Sequence, residues 1–236
     1  MTTPNSTDAV VIISAGIEWQ ALLELLPQAG LQSSPFGQWF VLELDVAGRS
    51  ETVVFFHGGW GKIAAAASAQ YVLDRWSPAL LVNLGTCGGF QDEIEKGTIV
   101  LAERTIVYDL IEQMTDQEAA IAHYTTEIDL SWLAEPYPQP VRRTLLVSGD
   151  RDLVQEEIPR LKLEFGAVAG DWESGAIAWV AERNSTRCLI LRGVTDLVGS
   201  GGGEAYAGNL HVYVEGTQQV MKSLVRSLPA WLARGL

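Results

Sequence analysis

The sequence is poor in cysteine, histidine and basic residues. Cys87 and Cys188 are its two cysteines, and neither has metal-site spacing with the three histidines, so we expect reduced thiols and no bound metal. The 16 Lys and Arg residues stand against 29 Asp and Glu, which gives a formal net charge of −13. Nucleic acids and anionic membranes bind positive surfaces, so this composition argues against both as partners.

Long apolar runs are also missing. No run reaches the roughly 20 residues that a membrane-spanning helix needs. The first ten residues, MTTPNSTDAV, lack the basic and apolar regions of a signal peptide. We therefore expect a soluble, cytoplasmic protein. A hydrophobic content of 47% over 236 residues is enough for a sizeable core.

Short apolar runs alternate with amphipathic segments along the chain. Apolar or alternating runs predict strands at 9–14, 39–48, 51–59, 79–85, 97–109, 144–149, 167–170 and 187–196. Helical spacing predicts helices at 18–26, 61–76, 152–165, 173–183 and 208–232. Residues 111–140 are poorly periodic and are expected to form a long excursion. The pattern predicts an α/β fold with one doubly wound domain, residues 9–236, in which helices flank a mixed central sheet, after a flexible tail at 1–8.

Polar residues and glycines follow the first and fourth predicted strands. In doubly wound sheets, ligands bind beyond the carboxyl ends of the strands, so these residues are candidates for a site. Glu18 falls in the first turn of a helix, a position that the helix dipole also favours for an acid. The segment TCGGF at 86–90 reads as a turn, whose glycines let backbone N–H groups approach a ligand.

Two later strand ends carry more charge, in the segments AGDWES and LRGVTD. Asp171 reads as a helix cap, and Glu173 follows it in the first turn. Arg192 stands in an apolar strand, where a charge is costly unless it is paired. Taken singly, each residue has a structural explanation. Taken together, Glu173 and Arg192 suit a vicinal diol and a water, and Asp196 suits an acid if burial raises its pKa.

These motifs resemble the nucleoside phosphorylase/nucleosidase family, most closely its methylthioadenosine/S-adenosylhomocysteine nucleosidase branch. The resemblance rests on HGGWGKIAAAASAQ, LVNLGTCGG, VSGD, DWESGAIAWVA and LRGVTD, in that order along nearly the whole chain. It implies a nucleoside phosphorylase-like fold and hydrolysis of the N-glycosidic bond of a 5′-modified purine nucleoside. It also implies that no metal or redox cofactor is required and that the chain forms a homo-oligomer, most simply a dimer.

The resemblance implies roles for individual residues. Asp196 corresponds to the acid that protonates N7 of the purine, and Glu173 to the carboxylate that holds the ribose hydroxyls. Arg192 and Glu18 correspond to groups that position the attacking water. The other substrate-binding residues, expected along the ribose and the base, are Trp172, Thr86, Cys87, Gly88, Leu153 and Thr195.

Three positions depart from the family pattern. The segment GIEWQ offers one glutamate where the family has an acid-rich run, so the alignment of Glu18 allows a shift of one residue. Asp152 stands where the family has an aromatic residue that stacks on the base, and Trp172 stands where it commonly has a methionine. The 5′ group and the base therefore stay open, and futalosine is another candidate purine nucleoside.

Two further functions stay open on sequence grounds. A phosphorylase needs donors and positive charge for phosphate, yet the first strand loop has no arginine and Asn83 stands where some phosphorylases carry one. A noncatalytic nucleoside-binding or storage protein does not need Glu173, Arg192 and Asp196 together.

The irregular region at 105–125 is a candidate for contact with a second subunit. Val107, Tyr108 and Met114 lie within it. In a dimer these residues are expected to supply part of the neighbouring subunit's 5′ pocket, with an exposed surface loop as the alternative.

Overall fold

The computed structural model describes residues 7–26 and 30–236, and strands alternate with helices through most of this part of the chain. The strands are β1 (Ala9–Ile13), β2 (Gln32–Ser33), β3 (Gln38–Val46), β4 (Arg49–His57), β5 (Leu80–Phe90), β6 (Ile99–Val107), β7 (Thr125–Glu127), β8 (Arg142–Ser148), β9 (Ala169–Asp171), β10 (Arg187–Gly199) and β11 (Gly202–Gly203). The helices are α1 (Gly16–Leu25), α2 (Lys62–Trp76), α3 (Gln117–His123), α4 (Ile158–Phe165), α5 (Ser174–Arg183) and α6 (Leu210–Gly235).

The strands form one mixed sheet with the order β11-β10-β6-β8-β9-β5-β1-β4-β3-β2, and β7 pairs with β6 outside this order. An additional parallel pairing of β10 with β5 closes the segment β5-β10-β6-β8-β9 into a ring. Outside the ring, β1 lies parallel to both β5 and β4, and β3 and β4 form the predicted hairpin. The predicted mixed sheet flanked by helices is present, and the ring is a feature that the sequence pattern did not indicate.

The prediction of a turn at TCGGF is wrong. Strand β5 continues through this segment to Phe90, because it has paired neighbours on both sides: Gly88 pairs with Gly170 of β9 and with Asp196 of β10. The glycines serve close packing rather than a turn. A Cβ atom on Gly89 would lie 2.7 Å from Ile94 Cγ2 and 2.8 Å from Val194 Cγ1.

The helix predicted at 152–165 is also shorter than expected. Helix α4 begins at Ile158, with Pro159 in its first turn, where the missing proline N–H costs no helical hydrogen bond. The preceding residues instead contribute to the site described below. The predicted excursion at 111–140 contains α3 and β7 and is otherwise irregular.

Two apolar layers cover the sheet, one on each face. Because side chains alternate along a strand, Val10 and Ile12 of β1 pack with α2 and α5, whereas Val11 and Ile13 pack with α1 and α6. None of the helices in residues 7–26 and 30–236 is both long and apolar enough to cross a membrane.

Part of the predicted N-terminal tail falls within the described residues. Thr7 is buried and its Oγ1 donates to the carbonyl of Thr52, while Asp8 Oδ2 accepts the N–H of Thr52. These two residues are therefore fixed against the sheet. The rest of the predicted tail, residues 1–6, lies outside the described residues.

Candidate active site

A cavity of about 400 Å³ lies at the carboxyl ends of β1, β5 and β10. This is the sheet edge at which parallel strands present their ligand-binding loops. Of the residues predicted for a site, the cavity is lined by Glu18, Thr86, Cys87, Gly88, Leu153, Trp172, Glu173, Thr195 and Asp196. Arg192 lies behind the cavity wall and is 0% exposed. The fold therefore brings together residues that are up to 178 positions apart, from Glu18 to Asp196.

Glu18 is held in the first turn of α1 with its carboxylate turned to the cavity. Oε1 accepts the backbone N–H and the hydroxyl of Thr86, each at 2.7 Å. Oε2 accepts the N–H of Ala15 at 3.1 Å and keeps an acceptor site facing the cavity. Gly85 makes this approach possible, because a Cβ there would lie 2.7 Å from Glu18 Oε1.

The carboxyl groups of Asp171 and Glu173 have different hydrogen-bond partners at the start of α5. Asp171 accepts the N–H of Ser174 at 3.2 Å, as a capping side chain does, and also accepts the hydroxyl of Ser148 at 2.6 Å. The carboxylate of Glu173 does not cap the helix. Its Oε1 accepts a hydrogen bond from the N–H of Gly61 at 3.0 Å, and its Oε2 accepts one from Arg192 Nη2 at 3.3 Å.

Arg192 is a buried cation at the centre of three carboxylates. Its guanidinium nitrogens lie 3.0 Å from Asp171 Oδ2, 3.3 Å from Glu173 Oε2 and 3.6 Å from Glu18 Oε1. Nη2 also donates to Asn83 Oδ1 at 2.8 Å. Burial opposes the charge, but the three carboxylates outweigh it and raise the pKa of Arg192 above its ordinary value. The geometry thus assigns Arg192 to the carboxylates rather than to direct contact with the cavity.

Asp196 reaches the opposite part of the cavity through a bulge in β10. The pairing of β10 with β5 shifts between Val194 and Asp196, so that Thr195 and Asp196 both face the cavity. Thr195 Oγ1 donates to Asp196 Oδ1 at 2.7 Å. Burial raises the pKa of Asp196 above its usual range, against the lowering effect of this hydrogen bond.

The carboxyl group of Glu173 also favours the protonated form. Burial is the main cause, and the neighbouring Asp171 and Glu18 add to it, while Arg192 and the N–H of Gly61 act in the opposite direction. Together they raise the pKa of Glu173 to about 8. The cavity therefore contains two carboxyl groups, those of Asp196 and Glu173, whose protonated forms are favoured by burial.

The cavity also has aromatic walls. The rings of Trp60 and Trp172 meet edge to face, with their centroids 5.3 Å apart. Across the cavity, Tyr206 donates its hydroxyl proton to the carbonyl of Leu153 at 3.0 Å. Asp152, which stands at the position of the family's stacking aromatic, lines the cavity beside Leu153.

Sequence reasoning missed several residues of the cavity wall. These are Ala15, Trp60, Arg151, Gly170, Ala205, Tyr206, Leu210 and Tyr213. Trp60 lies within HGGWGK, a part of the family motif, so the motif could have indicated that Trp60 belongs to the site. Tyr206 and Tyr213 follow an irregular segment after β10, and no local pattern in the sequence points them at the site.

Val107 and Tyr108 are buried within the chain, and neither lines the cavity. Met114, by contrast, is 89% exposed, and its neighbour Ile111 is 80% exposed. The exposed part of the predicted contact region thus begins at Ile111 and continues beyond Met114.

This arrangement suits cleavage of a bond between a base and a sugar. An acid at one part of the cavity can protonate a departing base, and carboxylates at the other part can stabilise positive charge on a sugar. In residues 7–26 and 30–236, no group of three or more His, Cys, Asp and Glu side chains is arranged to hold a metal ion. The chemistry available from the described side chains is acid–base and electrostatic.

The chain is similar to known proteins along most of its length. A family model described as "Phosphorylase superfamily" matches residues 9–226. A 5′-methylthioadenosine/S-adenosylhomocysteine nucleosidase of Actinobacillus succinogenes is 30% identical over 182 residues, covering 72% of this chain and 76% of the relative. A protein of the same name from Thermotoga maritima is 28% identical over 169 residues, covering 71% and 76%.

Solved structures share the fold. The 5′-methylthioadenosine/S-adenosylhomocysteine nucleosidase of Helicobacter pylori superposes with a TM-score of 0.77 at 14% identity, covering 95% of this chain and 98% of that one. The MTA/SAH nucleosidase of Streptococcus pneumoniae, solved with 8-aminoadenine, gives a TM-score of 0.75 at 21% identity, with coverages of 96% and 99%.

Proposed function

Because the chain belongs to the phosphorylase superfamily, we propose that it hydrolyses the N-glycosidic bond of a purine nucleoside with a modified 5′ group, of the methylthioadenosine or S-adenosylhomocysteine type. The relatives named as nucleosidases of these two compounds support the reaction. One observation carries it in this chain: the carboxyl of Asp196 and those of Glu18 and Glu173 line a single cavity of about 400 Å³. The family resemblance drawn from the motifs is confirmed.

Asp196 acts as the general acid. Its raised pKa keeps a proton available, and the purine leaves more easily once N7 accepts that proton. Thr195 fixes Oδ1 by a hydrogen bond, which leaves Oδ2 for the base. The buried backbone at Leu153 and the side chain of Asp152 complete the base-facing wall.

Glu173 binds the ribose hydroxyls. Its two oxygens are already fixed by Gly61 and Arg192, so the carboxyl plane is set before the substrate arrives. A vicinal diol offers two O–H donors, and donors favour the ionised carboxylate. Binding therefore lowers the pKa of Glu173 from about 8 and places a negative charge beside the sugar.

Glu18 and Thr86 hold the attacking water. The free acceptor site on Glu18 Oε2 accepts a hydrogen bond from the water. The carboxylate also stabilises positive charge as the sugar approaches an oxocarbenium ion. Arg192 does not reach the cavity, so its proposed role is to hold Glu18 and Glu173 in place and not to touch the water.

Hydrolysis fits the charges better than phosphorolysis. Phosphate needs a cation whose charge is free to bind it. The charge of Arg192 already faces three carboxyl groups, and Arg151 at the cavity wall pairs with Glu157 at 3.3 Å. A phosphate dianion near Glu18 would add to an excess of negative charge.

The chain acts as a homodimer in the cytoplasm. The exposed apolar side chains of Ile111 and Met114 support a second subunit at the 105–125 region. The two cysteines, Cys87 and Cys188, are buried and unpaired, which agrees with a reducing compartment.

The test is a panel of purine nucleosides, including methylthioadenosine, S-adenosylhomocysteine, adenosine, inosine and futalosine, incubated with the purified protein with and without phosphate. Chromatography of the base and the sugar separates the outcomes. We expect free base and free sugar at a rate independent of phosphate. A sugar 1-phosphate product, or no turnover of any member, would contradict the proposal.

A further inference from the structure

The segment that joins β4 to α2 reaches into the site from the side. Its Trp60 packs edge to face on Trp172, and the N–H of Gly61 donates to Glu173 Oε1 at 3.0 Å. This segment therefore contacts the carboxyl assigned to the ribose through a backbone group. Any movement of Gly61 moves a hydrogen bond of Glu173.

Lys62, the next residue, connects this segment to the loops that follow β6 and β8. Its Nζ pairs with Asp109 after β6 and lies 3.8 Å from Asp150 Oδ2 after β8. Its backbone N–H donates to Asp150 Oδ1 at 2.7 Å, and the N–H of Asp150 donates to Asp109 Oδ2 at 2.9 Å. We call Lys62, Asp109 and Asp150 the Lys62 network.

The segment packs closely against the Lys62 network. Gly59 and Gly61 have φ angles of +74° and +86°, a conformation that side chains disfavour. A Cβ on Gly61 would lie 3.2 Å from Asp150 Oδ1. The turn is therefore packed directly against Asp150, and the position of Gly61 depends on that contact.

We propose that Lys62 is a positioning residue for ribose recognition: through its pairs with Asp109 and Asp150, it holds the N–H of Gly61 on Glu173 and so sets the carboxyl that binds the sugar hydroxyls. The proposal rests on the proposed function for the role of Glu173. The link between Lys62 and the position of Gly61 does not depend on the proposed function, because it can be measured without turnover.

The link itself is tested by hydrogen exchange of the Gly61 amide in the ligand-free protein. The variant Lys62→Met keeps the length of the side chain and removes its charge. We expect the Gly61 amide to exchange about tenfold faster or more in this variant, because local opening becomes easier. Lys162→Met is the matched control, since Lys162 pairs with Glu93 at the surface and should leave Gly61 unchanged.

The consequence is tested by selectivity for the 2′-hydroxyl. The kcat/KM of methylthioadenosine is compared with that of its 2′-deoxy analogue. In Lys62→Met we expect the preference for the ribonucleoside to fall about tenfold, since a charged hydrogen bond to the hydroxyl is misplaced. The deoxy analogue should change little, and Lys62→Arg should restore part of the preference because it keeps the charge.

The outcomes separate the two proposals. Unchanged exchange at Gly61 in Lys62→Met overturns the positioning role, and so does faster exchange with an unchanged 2′-hydroxyl preference. If the wild-type protein cleaves no purine nucleoside, the proposed function fails, and the exchange experiment still decides whether Lys62 holds Gly61. A fall in kcat/KM that is equal for both nucleosides also overturns the role, because it indicates general damage.

Discussion

Arg192 Nε lies 3.0 Å from Asp171 Oδ2, and both side chains are buried, Asp171 at the cavity wall and Arg192 behind it. Sequence reasoning assigned Asp171 to a helix cap and Arg192 to the attacking water. In the structure the two residues form one support: Asp171 ties the start of α5 to the cation that also faces Glu18 and Glu173. Stability and site geometry therefore depend on the same ion pair.

Replacing Asp171 by Asn tests this dependence. The amide nitrogen of Asn would face the N–H groups of Arg192 or Ser174, so a donor would meet a donor. We expect the free energy of unfolding to fall by about 3 kcal/mol, the usual cost of breaking a buried pair. Urea denaturation measures it. Asp74→Asn, an exposed position on α2, is the control and should stay within about 0.5 kcal/mol of wild type.

Asp196→Asn is expected to remove activity and add stability. Asn keeps Oδ1 as the acceptor for Thr195 but has no proton for the base, so turnover should fall about 10²-fold or more. Burial raises the pKa of Asp196 in the folded protein. The contribution of Asp196 to the stability of the wild-type protein is therefore fully present below the unfolded pKa of about 3.9 and is lost as the pH rises through the folded pKa.

Asn has no such titration, so the variant should be more stable than wild type at pH 7, and the difference should shrink towards pH 4. Urea midpoints across this range give the comparison, with Asp74→Asn again unchanged. Equal stability at pH 7 would show that Asp196 is not strained by burial. Retained turnover would show that another group is the acid.

Glu173 should release a proton when a ribonucleoside binds. Burial raises the pKa of Glu173 and favours its protonated form, whereas hydroxyl donors favour the carboxylate. Calorimetry in buffers of different ionisation enthalpy counts the protons. The ligands are a C-nucleoside, whose base–sugar carbon–carbon bond resists hydrolysis, and its 2′-deoxy analogue.

Binding of the ribonucleoside should release more protons than binding of the deoxy analogue, because the 2′-hydroxyl favours the ionised form of Glu173. Any contribution from Asp196 is the same for both ligands and cancels in the comparison. The difference should vanish in Glu173→Gln, which has no titrating group. Equal release by the two ligands in wild type would place the ribose hydroxyls elsewhere.

The site could be predicted from the sequence where an apolar strand pattern is followed closely by a charged side chain. Glu18 follows β1, Glu173 follows β9 and Asp196 lies near the carboxyl end of β10, and all three line the cavity, so the search for charged residues near strand ends located them. The role of Asp171 could not be predicted in this way. Its helix-capping signal was real, but its pairing with Arg192 depends on the neighbouring positions of β9, β5 and β10, which no local pattern encodes.

The ring of strands was missed for a related reason. Glycines in TCGG have low strand propensity, so the segment read as a turn. In the folded chain, contacts between neighbouring strands decide the matter, because Gly88 is paired on both sides and Gly89 has no room for a side chain. Long-range packing outweighs local propensity at this point.

Tyr213→Phe is expected to slow turnover without weakening substrate binding. Tyr213 lines the cavity from α6, and its hydroxyl interacts with that of Thr86, which donates to Glu18 Oε1 at 2.7 Å. Without the phenol, the groups that hold the water are less well fixed, so kcat should fall about tenfold while KM stays within about twofold.

Tyr206→Phe is the matched comparison, because the Tyr206 hydroxyl donates to the Leu153 carbonyl at the part of the wall that we propose to face the base. There we expect the larger change in KM. If both variants changed KM alike and left kcat unchanged, Tyr213 would belong to substrate binding and not to the water.

Trp172→Met tests what sets the choice of 5′ group. Trp172 stands where the family commonly has methionine, and its indole packs on that of Trp60 at the cavity wall, with the ring centroids 5.3 Å apart. Methionine is smaller and more flexible, so the variant should accept longer 5′ substituents. We expect the ratio of kcat/KM for S-adenosylhomocysteine to that for methylthioadenosine to rise about tenfold, as a few extra methylene-sized contacts allow. Trp179→Met, within α5 and away from the cavity, should leave the ratio unchanged. An unchanged ratio in Trp172→Met would mean that the 5′ group does not lie against Trp172 and Trp60.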